Sequence, residues 1–496
     1  MSTVTGLALG LASAVLLVLA FPPYDAWPVV FVALVPMLLA EHRILRPRLA
    51  GLAVGCGVGG FIGGYLVDVF PGFRAPLIIL ALPLVFGGLA FVVGHGGRRF
   101  HERTGYRWFV MSGACGFVAF ELLRGQLPQT GTWAFLAYAL HGQPWLIQPI
   151  SVLGIYALGF LVVAVNQSLA LLLFAVLDRR KAPFEGSVVS MRFARRWILG
   201  TALVLACWIL GSLALFSSPP PTVRVAALQP GTTRPRSLAD QEDLRRRLPQ
   251  LLAAQTREAG SRGAQIIVWP EGALAEDASA GPKAELESLA RETGAYLVVG
   301  QVTRDPTPRG GMRNEVTVIA PDGSFLGTSG KDHPVTAIGE SNITPCTYPA
   351  FATPHGRLGA MICYDGDFTD TARRIAANGG RIIAVPSWDW PAIAARHYTH
   401  FVFRAVENRV AIVKSEHAND SAIIDPWGRV VAKTVTPQNA AAVLVADVPV
   451  EPAVPLAVRL GDLVGYLCAA GALVFMGLRL VYERRARARA RARARS

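Results

Sequence analysis

The feature that most limits what this chain can become is a series of long apolar runs. They occupy residues 4–20, 27–40, 49–69, 75–94, 108–124, 150–177, 197–216 and 460–481. A spanning helix takes about 17–25 apolar residues, so the runs predict about eight transmembrane helices. Pro22, Pro23 and Pro28 predict a tight turn that joins the first two as one hairpin. Composition agrees: 17% of the 496 residues are charged and 52% are hydrophobic. A soluble domain carries nearer a quarter charged residues.

The breaks between runs predict orientation. The loop 41–48 holds Arg43, Arg46 and Arg48, and the loop 95–107 holds Arg98, Arg99, Arg103 and Arg107. The loop 178–196 holds Arg179, Arg180, Lys181, Arg192, Arg195 and Arg196. Short loops rich in Lys and Arg stay in the cytoplasm. The loops around Tyr24, Pro71 and Pro128 carry few positive charges. Alternation then starts the chain inside, places 217–459 outside and returns the C-terminus to the cytoplasm. The expected organisation is a membrane domain over 1–216 with about seven helices, an extracytoplasmic catalytic domain over 217–459, a last helix over 460–481 and a basic tail over 482–496. Met1–Gly6 carries no Lys or Arg, which argues against a cleaved leader. The net charge of +14 could suit nucleic acid. The arginines' placement assigns them to topology instead, and no nucleic-acid partner is expected. Alternating Arg and Ala over 484–496 reads as a solvated, low-complexity end held near anionic lipid.

From Thr222 the pattern changes to short β-rich runs alternating with polar helical stretches. Strands are expected over 223–228, 265–269, 296–302, 316–320, 324–328, 357–362, 381–386, 411–414, 422–425, 430–434 and 442–448. Helices are expected over 240–259, 283–293, 369–378 and 394–408. Pro321-Asp322-Gly323 and Pro426-Trp427-Gly428 are turn words. Such alternation predicts a layered α/β or α+β domain.

Three residues at strand ends could do chemistry together. Glu271 follows Ile266–Pro270, Lys331 follows a hairpin, and Cys363 follows Gly359-Ala360-Met361-Ile362. A thiolate is the nucleophile of cysteine chemistry. A carboxylate can take the thiol proton and pass it on. An ammonium can stabilise thiolate and oxyanion. Singly, each has a plainer explanation: Cys363 as a small core residue, Glu271 as a helix-start acid, Lys331 as a solvated loop lysine. Among the six cysteines, no CxxC or Cys/His cluster suggests a metal. His397 and His400, one helical turn apart, could bind a metal, but with no third ligand evident they read as surface or lid residues. Cys346 is not expected to pair with Cys363. No cofactor motif is visible.

The words around these residues are more specific. Trp269-Pro270-Glu271, Gly330-Lys331 and Ile362-Cys363-Tyr364-Asp365 resemble the three catalytic motifs of the nitrilase (carbon–nitrogen hydrolase) superfamily. Arg404-Ala405-Val406-Glu407-Asn408, Asp425-Pro426-Trp427-Gly428 and Val225-Ala226-Ala227-Leu228-Gln229-Pro230 also fit, in the superfamily's order. The resemblance implies a four-layer αββα sandwich with Glu271, Lys331 and Cys363 as triad. With membrane runs on both sides, the chain resembles the apolipoprotein N-acyltransferase family. That implies a multi-pass protein of the bacterial cell membrane, a phospholipid acyl donor, a diacylglyceryl-cysteine apolipoprotein acceptor and a thioester on Cys363. Glu340, in Ile338-Gly339-Glu340, matches a further family element, and Tyr364 and Asp365 are candidate assistants. The segments 132–140 and 387–393, with Trp133, Trp388 and Trp390, could line a lipid entrance. Three departures fall near the acceptor side: Asp365 replaces the usual Glu, Ser341-Asn342-Ile343 replaces Tyr-Val-Pro, and Ser387-Trp388-Asp389-Trp390 is atypical. The alternative reading is a membrane-anchored amidase or acyltransferase with another acceptor. A transporter built on Asp68 and Glu121 ranks last, behind a catalytically dead scaffold.

Overall fold

The computed structural model describes residues 2–67, 76–180, 188–216, 222–233, 237–304, 311–336, 339–434 and 440–495. The apolar runs form helices, because a helix satisfies its own backbone where no water can. These span Ser2–Leu19, Gly51–Leu66, Pro76–Arg103, Phe109–Gly125, Ile155–Arg180, Met191–Leu215 and Leu463–Arg495. Among the described residues, 6 helical segments are long and apolar enough to cross a membrane, one being Trp27–Ile44. Thr3–Leu19 falls short of that length, as does Phe109–Gly125 with its 17 residues. The protein therefore has a bundle of apolar helices, and the finer count of spans is not fixed by them.

Two expectations change. The second run is no single helix but three short pieces, Trp27–Phe31, Val35–Leu39 and Ala40–Ile44. The run 150–177 divides at Gly154, whose φ of 75° lies in the left-handed region and ends the short helix Ile150–Leu153. The Arg/Ala tail continues the last helix through Arg495, since Ala and Arg are both strong helix formers. Asp68 lies outside the described residues. Close helix contact is bought by glycine: a Cβ on Gly59 would meet the Pro83 carbonyl oxygen at 2.9 Å. Small residues let membrane helices approach this way.

The α/β body holds two sheets. One has order β11-β1-β2-β3-β4-β5, the other β10-β9-β8-β7-β6. Its strands are β1 (Thr222–Gln229), β2 (Ile266–Val268), β3 (Tyr296–Arg304), β4 (Met312–Ile319), β5 (Phe325–Gly330), β6 (Leu358–Ala360), β7 (Ile382–Pro386), β8 (Ala411–Ser415), β9 (Ala422–Ile424), β10 (Val430–Lys433) and β11 (Ala442–Pro449). β1, β2 and β3 run parallel, as do β6, β7 and β8. The strand period of two sorts the side chains. Val225 and Ala227 meet Ala384 and Val413 between the sheets. Ala226 and Leu228 face the other way, onto Leu252 and Leu289. Those two belong to the helices Leu238–Ser261 and Lys283–Thr293, the first capped by Ser237 and Asp240.

The fourth layer is unusual. The helices Asp370–Ala377 and Pro391–Asn408 cover the second sheet, and their residues share one apolar cluster with the membrane helices. Polar clamps fix this junction. The Ile155 N–H, at a helix start, donates to Glu407 at 2.7 Å. Asp462 accepts from Arg373 at 2.8 Å and from Thr369 at 2.9 Å. Arg409 donates to the Gln148 side chain at 2.6 Å, the Ser151 hydroxyl at 3.2 Å and the Pro426 carbonyl at 3.1 Å. Arg409 ends its helix with φ 50°, a conformation glycine adopts freely. Arg409→Gly therefore keeps the turn and deletes only the clamp. It is expected to lose about 1–3 kcal/mol, read as a lower thermal midpoint in detergent.

Candidate active site

Cys363 sits just past β6, in the gap between the two sheets. Met361 still donates to the Ala384 carbonyl at 3.1 Å, as if the strand continued. The chain then turns sharply. Cys363 has φ 45°, a left-handed conformation that costs a non-glycine residue of order 1–3 kcal/mol. It opens the 3₁₀ turn Cys363–Asp367. Asp365 holds that turn, accepting from the Ile362 N–H at 2.8 Å and the His333 N–H at 2.7 Å. Burial pushes the Asp365 carboxyl up to about 7, against the pull of those two N–H groups. The tie also joins the Cys363 turn to the loop after Lys331.

Glu271 leaves β2 through Trp269 and Pro270. The Trp269 indole is buried and donates to Thr256 at 2.9 Å. His417 Nε2 lies 2.7 Å from the Glu271 carbonyl oxygen, and the Trp388 ring stacks on His417 with centroids 4.1 Å apart. The neighbouring strand must be bare here: a Cβ on Gly300 would come within 2.4 Å of the Pro270 oxygen. Lys331 leaves β5, with its N–H on the Asn314 carbonyl at 2.9 Å.

The side chains meet in a tight buried cluster. Lys331 Nζ lies 2.9 Å from Glu271 Oε1 and 3.0 Å from both carboxylate oxygens of Glu340. Asn314 Nδ2 bridges the same two carboxylates, at 2.6 Å each. The Val335 N–H holds Glu340 at 2.7 Å. Burial opposes the Lys331 charge, but Glu271, Cys363 and Glu340 together hold its ammonium above the ordinary lysine range. Burial first, and then the Glu271 charge, raises the Cys363 thiol well above its ordinary range; Lys331 pulls the other way. The resting sulfur is therefore a thiol, and Lys331 is the cation placed to favour its ionised form.

The structure thus brings together Glu271, Lys331, Glu340 and Cys363, all inferred from the sequence. Asp365 braces the turn that carries Cys363. Tyr364 reaches the Pro128 carbonyl at 3.1 Å. Trp133 is no free surface ring: its Nε1 donates to Asp367 at 2.7 Å and it packs edge-on against His400, centroids 4.8 Å apart. The segment Leu136–Leu140 beyond it is wholly buried. Trp388 braces His417, and Trp390 precedes the helix Pro391–Asn408 as its N-cap residue. Cys346 is free and touches the Ser329 hydroxyl at 3.7 Å. Glu121 accepts from the Leu136 N–H at 3.0 Å, which makes it a brace for that segment.

The surface reading of His397 and His400 is wrong. Both are buried, because the membrane bundle covers the outer face of their helix. His397 Nδ1 lies 2.8 Å from Asp389, and its Nε2 lies 3.4 Å from Asp367. His400 bonds Asp367 as well. Lys414 Nζ lies 3.0 Å from Asp389 and also bonds Glu416. Asp389 Oδ1 stands 3.8 Å from Cys363 Sγ. Sequence reasoning missed Asn314, Asp367, Asp389, Lys414 and His417. The one available signal was the charge of Lys414 inside the otherwise apolar strand β8; Asp367, Asp389 and His417 lie in turns and loops, where no pattern marks them.

Two groups of described residues could offer three donors to an ion: Cys363, Asp389 and His397, and Asp332, His333 and Asp370. In both, the donors already serve one another. Asp389 is ion-paired with His397 and Lys414, and His333 Nε2 lies 3.1 Å from Asp370. They read as internally neutralised ion-pair networks.

Comparisons with known proteins place this arrangement. Residues 224–456 match the carbon-nitrogen hydrolase family model, and residues 13–168 match that of the apolipoprotein N-acyltransferase N-terminal domain. A human omega-amidase is 28% identical over 211 residues, 36% of this chain and 76% of its own. An amidase from Nesterenkonia sp. aligns over 46% of this chain and 90% of its own, at 21% identity and a TM-score of 0.36. The α/β body matches the carbon-nitrogen hydrolase family model and is borne on a bundle of apolar helices. An apolipoprotein N-acyltransferase from Geobacter metallireducens is 27% identical over 504 residues, covering 94% of both chains. Along nearly its whole length the chain is similar to proteins named as apolipoprotein N-acyltransferases.

Proposed function

We propose that this protein transfers an acyl chain from a membrane phospholipid to the N-terminal α-amine of diacylglyceryl-cysteine on apolipoproteins. The observation that carries the reading is the Lys331 ammonium, buried between Glu271 and Glu340 beside Cys363. Full-length relatives named as apolipoprotein N-acyltransferases support it.

The chemistry follows in two balanced steps. Cys363 Sγ attacks an ester carbonyl of the donor, its proton passing to Glu271. A sulfur–carbon bond forms, the carbon–oxygen ester bond breaks, and Glu271 returns the proton to the departing alkoxide. Lys331 stabilises the thiolate and the developing oxyanion. The α-amine then attacks the thioester. A carbon–nitrogen bond forms, the carbon–sulfur bond breaks, and the amine proton returns through Glu271 to the sulfur. Glu340 and Asn314 orient Lys331 and Glu271. Tyr364 and Asp365 steady the turn that carries Cys363.

The membrane bundle has a physical purpose in this reading. Lifting an acyl chain into water costs about 0.8 kcal/mol per CH₂, so the reaction belongs at the bilayer surface. We place 217–459 on the extracytoplasmic side and the C-terminus in the cytoplasm, on the charge pattern of the loops. Reporter fusions after Arg48, Arg107 and Arg196 should give cytoplasmic signals, and a fusion at Gln250 an outer one. A cytoplasmic signal at Gln250 would overturn both sidedness and substrate.

The deciding assay uses purified protein in detergent with a phospholipid and a synthetic diacylglyceryl-cysteine peptide. Mass spectrometry should find acyl on Cys363 and then on the peptide amine. The omega-amidase likeness of the α/β body favours a second reading, in which water or another amine takes the acyl group. A Cys363 thioester that never reaches the peptide would select that one.

A further inference from the structure

Of the carboxylates whose charge acts on the Cys363 thiol, the mechanism above uses only Glu271. Asp389 Oδ1 lies 3.8 Å from Sγ, within reach of a weak S–H hydrogen bond. Asp389 is also among the most firmly held anions in the protein. His397 Nδ1 lies 2.8 Å from both of its oxygens, Lys414 Nζ 3.0 Å from Oδ2, and its N–H donates to Glu416 Oε2 at 2.9 Å. All four side chains are buried. His397 is fixed in turn by Asp367, whose other carboxylate oxygen accepts from Trp133. Thr132 binds the Asp367 carbonyl oxygen at 2.8 Å through its N–H. An unbroken polar chain thus runs from the segment after the helix Phe109–Gly125 to the sulfur.

We infer that Asp389 is a positioning residue that receives the S–H of resting Cys363, keeping the nucleophile protonated and aimed until the acyl donor arrives. The inference rests on the reading of Cys363 as nucleophile.

The electrostatics decide what Asp389 can do. Burial alone would raise its carboxyl, but His397 and Lys414 overcome that and hold it well below the usual carboxylate range. An anion so stabilised is a poor proton acceptor, so it orients the thiol without deprotonating it. A negative charge this near the sulfur favours thiol over thiolate. The charged groups acting on Cys363 are Glu271, Lys331, Asp389 and Glu416. Lys331 favours the thiolate; the carboxylates oppose it. Among them Asp389 is the one in contact with the sulfur and not bonded to Lys331. Arrival of a carbonyl group at Sγ would break the S–H contact and leave Glu271 to take the proton. At rest, the same contact shields the sulfur from stray electrophiles and oxidants, which attack thiolates.

The test exploits opposite signs. Alkylation of Cys363 by iodoacetamide is followed by peptide mass spectrometry across pH, on the full-length protein in detergent. Asp389→Asn removes the anion and is expected to speed alkylation about tenfold at neutral pH, the equivalent of about one pH unit in the profile. His397→Gln leaves the anion with one cation fewer. It is expected to slow alkylation and move the profile to higher pH. A purely structural role would loosen the site in both variants and speed both. Changes of the same sign, or none, would overturn the inference. Thioester formation by the wild-type protein tests the nucleophile reading separately: if it fails while the opposite signs hold, Asp389 still governs this thiol but the acyl-transfer reading falls.

Discussion

Cys363→Ala is expected to abolish the acyl-enzyme altogether and to lower amine acylation by at least about 10³-fold. The substitution removes one sulfur atom and the bond-forming group with it. Glu271, Lys331, Glu340 and Asn314 bond one another independently of the sulfur, so the cluster should persist. Folding should change little, because alanine leaves only a small cavity. Cys363→Ser should fail as well, since Glu271 and Lys331 are arranged around a thiol, which ionises far more readily than a hydroxyl. The measurement is intact-protein mass spectrometry after incubation with phospholipid, paired with peptide acylation. Appreciable turnover by Cys363→Ala would remove the nucleophile assignment, whatever became of the other residues.

Lys331→Ala is expected to damage both activity and stability, and the two losses can be separated. The ammonium is the cation bonded to both Glu271 and Glu340; Lys331 and Glu271 are buried, and Glu340 is partly so. Deleting one member of a buried ion pair strands its partner, which typically costs about 3–5 kcal/mol. Loss of the oxyanion contact should lower the rate by at least about 100-fold. Adding Glu340→Gln to Lys331→Ala removes one stranded carboxylate. The double variant should regain thermal stability while remaining inactive. If activity returned together with stability, Lys331 would be a structural counter-ion and nothing more. Thermal unfolding in detergent and the acylation assay read the two effects from one preparation.

How much of this site could be seen in the sequence depends on where each residue lies. Glu271, Lys331 and Cys363 stand at strand ends within short, distinctive words, and a strand end fixes where its next residue points. Glu340 carried a similar word. Asn314 did not: strand alternation says that it faces inward, and gives no hint that two carboxylates wait there. His397 and His400 were misread for a different reason. A period of 3.6 identifies the helix Pro391–Asn408 but cannot reveal that a second body packs on its outer face. Its consecutive residues from Arg396 to Asn408 are all buried, so polar residues there signal pairing and not solvent. Charge pairing at long range, as between Asp389, Asp367 and His397, leaves no local trace. The membrane part shows the same limit. Apolar runs located its helices, but backbone conformation at Gly154 and the interruptions over Trp27–Ile44 set how those runs divide.

That shared fourth layer bears on ancestry. In a free-standing sandwich, the helices over the second sheet need an apolar stripe inward and a polar stripe outward. Here the helix Pro391–Asn408 has given up its polar stripe, and Arg404, Glu407 and Arg409 have become fasteners between two bodies. Joining an ancestral enzyme to a membrane bundle could not end with a simple fusion of reading frames. At this junction each surface is fitted to the other, and neither can be exposed alone without baring apolar side chains and unpaired charge. Recombination that exchanges catalytic halves between distant relatives should therefore yield few working offspring unless this helix and the loops clasping it travel together.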